Sequence, residues 1–195
     1  AHYMNDEEYT NEVIHGDIHT ANQMAAGLQS RDSAKTFIYA FLYGAGDEKI
    51  GSIVDGSRAD GKQLKAKFLD NTPSLRTLRE RVGTASKRGY LKGLDGRKIW
   101  VRSKHSALNT LLQGAGAIVM KKALTILEKS AIIEDIGYKF IGNIHDEIQT
   151  EVNDEQATLF GELAVKSIQQ AGEELNLHCP LDGEYKIGGS WNETH

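Results

Sequence analysis

Asp95-Gly96, set between Tyr90-Leu91-Lys92 and Ile99-Trp100-Val101, constrains the fold more than any other stretch of the chain. An Asp-Gly pair tolerates the positive φ angles of a tight two-residue turn, and β-prone residues on both sides complete a hairpin signal. An antiparallel ribbon is therefore expected in the middle of a sequence otherwise patterned for helix. Only Pro73 and Pro180 interrupt the chain, so long helices are permitted around it.

The flanking segments carry helix punctuation. Residues 17–27, DIHTANQMAAG, read as a short helix capped by Asp17 and ended at Gly27. Ser30 is placed to cap a second helix, RDSAKTFIYAFLYGAG, which stops at Gly44 and Gly46. Two further helices are expected around 60–71 and 73–88, the second with Pro73 in its first turn. From Ser106 to about Ile133 the period is again helical, interrupted by Gly114 and Gly116. Residues 138–152, YKFIGNIHDEIQTEV, read as two strands meeting at a polar tip, followed by a helix over 154–175 and a strand near 184–188. The order of helices, hairpin, long helix, hairpin, helix and strand predicts an α+β architecture.

Charge is unevenly spread. Residues 31–104 hold 17 Lys/Arg against 8 Asp/Glu, and the remainder holds 6 against 19. A basic middle between acidic ends suits a polyanion-facing surface, though a solvated face has the same look. Cys179 is the single cysteine of the 195 residues, which excludes an internal disulfide and fits a reducing cytoplasm. No unbroken apolar run approaches the ~18 residues of a membrane span, so no membrane partner is expected. The opening Ala1-His2-Tyr3-Met4 has neither an initiator methionine nor a helix cap, as if cut from something longer by trimming or by a natural break.

Arg31, Lys35, Tyr39 and Tyr43 are spaced by four, and such residues drift only ~40° per step on a helix. They form one slowly winding stripe, while Ala34, Phe37, Ile38 and Phe41 fall mostly on another side. Arg offers a bidentate fork to phosphate oxygens, Lys a mobile point charge, and the rings a face for a base or sugar. By spacing alone, the stripe equally fits an ordinary surface helix.

His145-Asp146-Glu147 lies between Ile144 and Ile148, which places two carboxylates at an exposed turn held by buried strands. Mg²⁺ favours hard oxygen ligands, few of them from protein, with room for substrate phosphates. In isolation the tripeptide also fits a solvated turn.

Together these segments resemble family A DNA polymerases. Arg31 to Gly44 is similar to the fingers-helix motif Arg-x-x-x-Lys-x-x-x-Tyr-x-x-x-Tyr-Gly, and His145-Asp146-Glu147 to the palm hairpin motif. Asn109 to Gly114 resembles the segment between them, and Asp17-Ile18-His19 a signature before the fingers helix. GDIHT, AKTFIY, FLYGAGDEKIG and KGLDGRK are similar to the short-tailed-phage replicative enzymes of the family.

The resemblance implies a helical fingers subdomain over 1–104 and the C-terminal part of a palm with antiparallel strands over 105–195. It implies that His19 and Arg31 contact the triphosphate of an incoming dNTP. Lys35 would neutralise that triphosphate and protonate the leaving pyrophosphate. Tyr39 would stack near the base and sugar, a tyrosine here being linked in the family to tolerance of a sugar lacking its 3′-hydroxyl. Tyr43 would guard the template side. Asp146 would bind Mg²⁺ with Glu147 in support, and His145, Asn109 and Gln113 would touch primer-template DNA in the minor groove. For Asn109 and Gln113, ordinary polar positions in a long helix remain open.

The family's other palm carboxylate stands in a motif resembling Asp-x-Ser-x-x-x-Glu-Leu-Arg, which this sequence lacks. The two-metal site is therefore expected to need a carboxylate from an upstream segment or chain, without which synthesis is slow. The hairpin around Asp146 is expected to expose an apolar sheet edge. The other readings are a DNA- or nucleotide-binding module without chemistry, and a Mg²⁺ nuclease, the latter weakened by the lack of a second acidic cluster.

Overall fold

A computed structural model describes residues 1–194. Helix α1 spans Glu7–His15, a helix that the sequence reading does not place. Asp6 caps it by accepting from the Tyr9 amide at 2.9 Å, and Glu7 and Glu8 complement the helix dipole in the first turn. Helix α2 (Ile18–Ala26) is capped by Asp17 and closed by Gly27 at φ 69°. Helix α3 (Arg31–Leu42) starts at Ser30, whose hydroxyl accepts from the Ser33 amide at 3.1 Å. The short α4 (Asp47–Gly51) follows, then α5 (Arg58–Asn71), which opens with a Ser57/Asp60 capping box. Pro73 begins α6 (Pro73–Ala85), where a missing N–H costs nothing.

Strands β1 (Tyr90–Lys92) and β2 (Lys98–Trp100) form the expected hairpin, pairing Tyr90 with Trp100 and Lys92 with Lys98. Helix α7 (Ala107–Ile133) runs through Gly114 and Gly116 without a break. Each glycine costs a helix about 1 kcal/mol. Ala107, Leu108 and Leu111 before them, and Ala123, Leu127 and Ala131 after them, are all buried, which offsets that cost. By length and composition alone α7 could cross a membrane, and a third of its most apolar stretch is buried within the fold. Strands β3 (Tyr138–Ile144) and β4 (Glu147–Val152) pair antiparallel with a bulge between Phe140 and Gly142. Helix α8 (Ala157–Glu174) and a last turn, α9 (Trp191–Thr194), complete the described chain. The fold is α+β, as the element order predicts.

Two compact units result, residues 1–92 with 98–112, and residues 93–97 with 113–195. The first is built on Phe37, Phe41 and Phe68, with Phe68 edge-on to the other two at 5.1 and 5.5 Å between ring centres. Ile50, Leu75, Leu78, Val82, Leu91, Leu108 and Leu111 surround them. Gly61 lies inside α5 because α4 passes too close for a side chain: a Cβ there would strike the Asp47 carbonyl and the Gly51 nitrogen. In the second unit Leu127, Ala131, Ile136 and Phe160 pack with Tyr138 and Val152.

The strand expected near 184–188 does not form. That segment runs antiparallel along α8, with Leu181 against Gly172 and Tyr185 against Gly161. A strand needs a hydrogen-bonding edge, and these side chains instead seat on bare glycine backbone of a helix.

Candidate functional site

The first unit carries the stripe. Burial of Ala34, Phe37, Ile38 and Phe41 turns the opposite side of α3 to solvent, leaving Arg31, Lys35 and Tyr39 exposed. Tyr43 stands one residue past the helix, as its C-cap, and is 57% exposed.

Arg31 is held. Its Nε donates to Asp17 Oδ2 at 2.8 Å and its Nη2 to Asp17 Oδ1 at 3.1 Å. The same carboxylate caps α2 through the amides of His19 and Thr20, and accepts from the Thr20 hydroxyl at 2.7 Å. The Arg31 hydrogen bonds, then those of Thr20, hold the Asp17 carboxyl far below the usual carboxylate range. In sequence Asp17 reads as a cap and as part of the signature before the fingers helix, with no pairing to Arg31. Its second role is a contact across 14 residues, for which the sequence carries no local signal.

His19 and Tyr39 meet across α2 and α3, with ring centres 6.4 Å apart and planes tilted by 64°. His19 Nδ1 is buried with no hydrogen-bond partner among the described residues. An orphaned buried nitrogen costs free energy unless a ligand or water satisfies it. His19, Arg31 and Tyr39 thus gather around the start of α2, and Lys35 lies one turn along α3 from each of Arg31 and Tyr39.

Below the end of α3 lies a cleft of about 520 Å³, lined by Gly44, Arg58, Lys65, Arg79, Lys104 and His105 among others. Gly44 has φ 80° and sits against the His105 carbonyl, so no other residue fits there without strain. Arg79 stacks on Phe41 at 5.4 Å. Lys65 donates to the Ala45 carbonyl at 2.5 Å and to Asp47 at 3.0 Å. Arg79 and Lys104 also line a neighbouring cleft with Arg76 and Lys87. Six of the 17 basic residues of 31–104 thus line these two clefts, beside Asp47 and Glu80. Asn109 is half-buried on α7, one helical turn before the exposed Gln113.

The second unit carries the tip. Ile144 pairs with Glu147 across a turn of His145 and Asp146, both exposed. His145 adopts φ 56°, a left-handed conformation that is uncommon for a residue with a Cβ. The Gln149 amide donates to the Glu147 carboxylate. Contrary to the expectation of buried flanking strands, Phe140, Ile141 and Ile144 of β3 are all exposed, and the bulge puts Phe140, paired with Thr150, and Ile144, paired with Glu147, on opposite faces of the two-stranded ribbon. Among the described residues no three His, Cys, Asp or Glu side chains converge on a common point.

A family model described as DNA polymerase family A matches residues 1–193. The chain belongs to DNA polymerase family A. It is 46% identical to a DNA-directed DNA polymerase of Enterobacteria phage T3 and 44% identical to that of Escherichia phage T7, in each case over all of this chain. It is 27% identical to DNA polymerase I of Aquifex aeolicus over 85% of the chain. The chain spans 31% of the length of each of the two phage relatives. This piece of a polymerase domain also shares its fold with a solved structure described as the POL domain of Pol1 from M. smegmatis in complex with DNA primer-template and dNTP. There the TM-score is 0.80 at 20% identity, over 93% of this chain and 35% of that one.

Proposed function

We propose that these residues are the fingers, over 1–104, and the distal palm, over 105–195, of a DNA-directed DNA polymerase that copies a primed template in phage replication in the host cytoplasm. The observation that carries the reading is the exposed face of α3. In a family A chain, Arg31, Lys35 and Tyr39 share that face beside a buried, unpartnered His19 nitrogen.

In this reading the triphosphate of the incoming dNTP takes the free donors of Arg31, the Lys35 ammonium and the buried nitrogen of His19. Tyr39 packs on the sugar and base, and Tyr43 closes the template side. The primer 3′-oxygen attacks the α-phosphorus, a new P–O bond forms, and the bond to pyrophosphate breaks. Lys35 gives its proton to the departing pyrophosphate, which makes it the general acid. Asn109, Gln113 and His145 lie along the minor groove, where pairing geometry is readable with little base preference. The basic grooves hold the DNA backbone, so affinity falls with salt.

Asp146 offers a hard, exposed carboxylate, and Mg²⁺ is commonly held by one or two carboxylates together with substrate phosphates. The tip thus fits one share of a two-metal site, with Glu147 supporting. Bound Mg²⁺ would neutralise phosphate charge and acidify the primer hydroxyl. The second carboxylate comes from a segment outside these residues, and the open edge of β3, with Phe140, Ile141 and Ile144 exposed along it, is where that segment completes the palm sheet.

Primer extension by the purified chain, with and without an added upstream polymerase segment, tests this. Synthesis is expected only in the mixture. Robust Mg²⁺-dependent synthesis by the chain alone would falsify the need for a second carboxylate. DNA binding without synthesis in either case would favour a binding module.

A further inference from the structure

The β1–β2 hairpin has two unlike faces. Leu91 is buried and Ile99, its partner, is half-buried, so that side faces the first unit's core. The other side carries Tyr90, Lys92, Lys98 and Trp100, because alternate residues of a strand share a face. Trp100 is 70% exposed. It meets the ring of Tyr90 edge-on, with centres 5.8 Å apart. Tyr90 is already engaged: Lys98 lies 4.8 Å and Arg88 5.0 Å from its ring centre, and Arg88 Nε donates to the Tyr90 carbonyl at 3.2 Å. Tyr90 thus fixes two cations beside the open indole.

Lys92 and Lys98 stand directly opposite each other, a like-charge pair that destabilises a hairpin. Asp95 is the one carboxylate between residues 88 and 102, and it is bound to Arg97 at the turn. The face therefore presents uncompensated positive charge around a large exposed aromatic surface. Its chemical complement is a flexible polyanion that also carries planar apolar groups. Duplex DNA meets only the first requirement, since its bases are stacked inside, and an acidic peptide leaves the indole bare. Single-stranded DNA meets both requirements, with phosphates on Arg88, Lys92 and Lys98 and a base on Trp100.

We propose that this hairpin face is a stacking site for unpaired DNA, separate from the nucleotide-binding face of α3. Such a site would hold single strand next to the basic grooves of the same unit.

The test is binding of a labelled oligo(dT) of about ten nucleotides, within the span of a single-strand groove, to the full chain, with no primer and no dNTP. Trp100→Ala is expected to weaken binding about tenfold, as loss of one stacked base does, while Trp100→Phe keeps most of the affinity. In a Trp191→Phe background Trp100 is the only indole left, and oligo(dT) should quench its emission while an abasic oligomer of equal length does not. Three results would overturn the proposal: equal binding by Trp100→Ala and wild type, equal quenching by the abasic oligomer, or displacement of oligo(dT) by an oligoglutamate of matched charge. The last would assign the face to an acidic polypeptide. If Trp100→Ala does not fold, the quenching comparison and Trp100→Phe still decide.

Discussion

Asp17 holds Arg31 with both carboxylate oxygens, at 2.8 and 3.1 Å, while its Oδ1 also caps α2 through the amides of His19 and Thr20. One side chain thus sets where α2 begins and where the first cation of the α3 stripe sits. The link ties a local rule of helix capping to the geometry of the proposed nucleotide site.

The two roles of Asp17 are separable. Asp17→Asn keeps a good cap and loses the charge, whereas Asp17→Ala loses both and should lower the urea midpoint further. The folded-state pKa of Asp17 lies below its unfolded value, so its stabilisation is full above the unfolded pKa and fades as pH falls toward the folded one. The stability gap between wild type and Asp17→Asn should therefore narrow below about pH 4. Parallel acid limbs would count against the ion pair.

Tyr138 gives the alkaline counterpart. Burial, and then the Glu128 carboxylate that accepts its hydroxyl, push the phenol up to about 12. Its folded pKa is raised, so its contribution is complete below the unfolded pKa of about 10 and is lost as pH rises toward 12. A tyrosinate absorbance titration should show a late step that Tyr138→Phe removes.

Gly61→Ala should destabilise the first unit by about 1–3 kcal/mol, as overpacking does. An exposed helical glycine usually gains from this change. Here the new methyl meets the Asp47 carbonyl and the Gly51 nitrogen, and α4 has to shift. A raised melting temperature would show that α4 yields freely.

Lys35→Ala, placed in a polymerase reconstituted with its upstream segment, should slow single-nucleotide incorporation by about 100-fold, the low end for loss of a general acid. Primer-template affinity should change little. An unchanged rate removes Lys35 from the chemistry.

Capping chemistry is local, and it was legible. Asp17, Gly27, Ser30 and Pro73 bound α2, α3 and α6 close to where their residue types predict. Asp95-Gly96 and His145-Asp146 likewise mark the two hairpin turns. The Asp6 cap of α1 carries the same kind of signal, and Tyr9 and Val13 stand one turn apart behind it, although the helix buries no residue. The α3 stripe was legible as a face because the i, i+3, i+4 burial of Ala34, Phe37, Ile38 and Phe41 is written in the helix period.

What the sequence determined by itself is therefore most of the elements and their ends, though not α1, α4 or the course of residues 184–188, and the family to which they belong, because propensity, caps and turns act over a few residues. What only the tertiary structure decided is where alternatives compete across long separations. Residues 184–188 alternate like a strand but lie along α8, where Tyr185 seats on the bare backbone of Gly161. Arg31 found Asp17, Gly61 met α4, and Trp100 was left bare on its hairpin, because each outcome depends on which surfaces remain after the cores have closed.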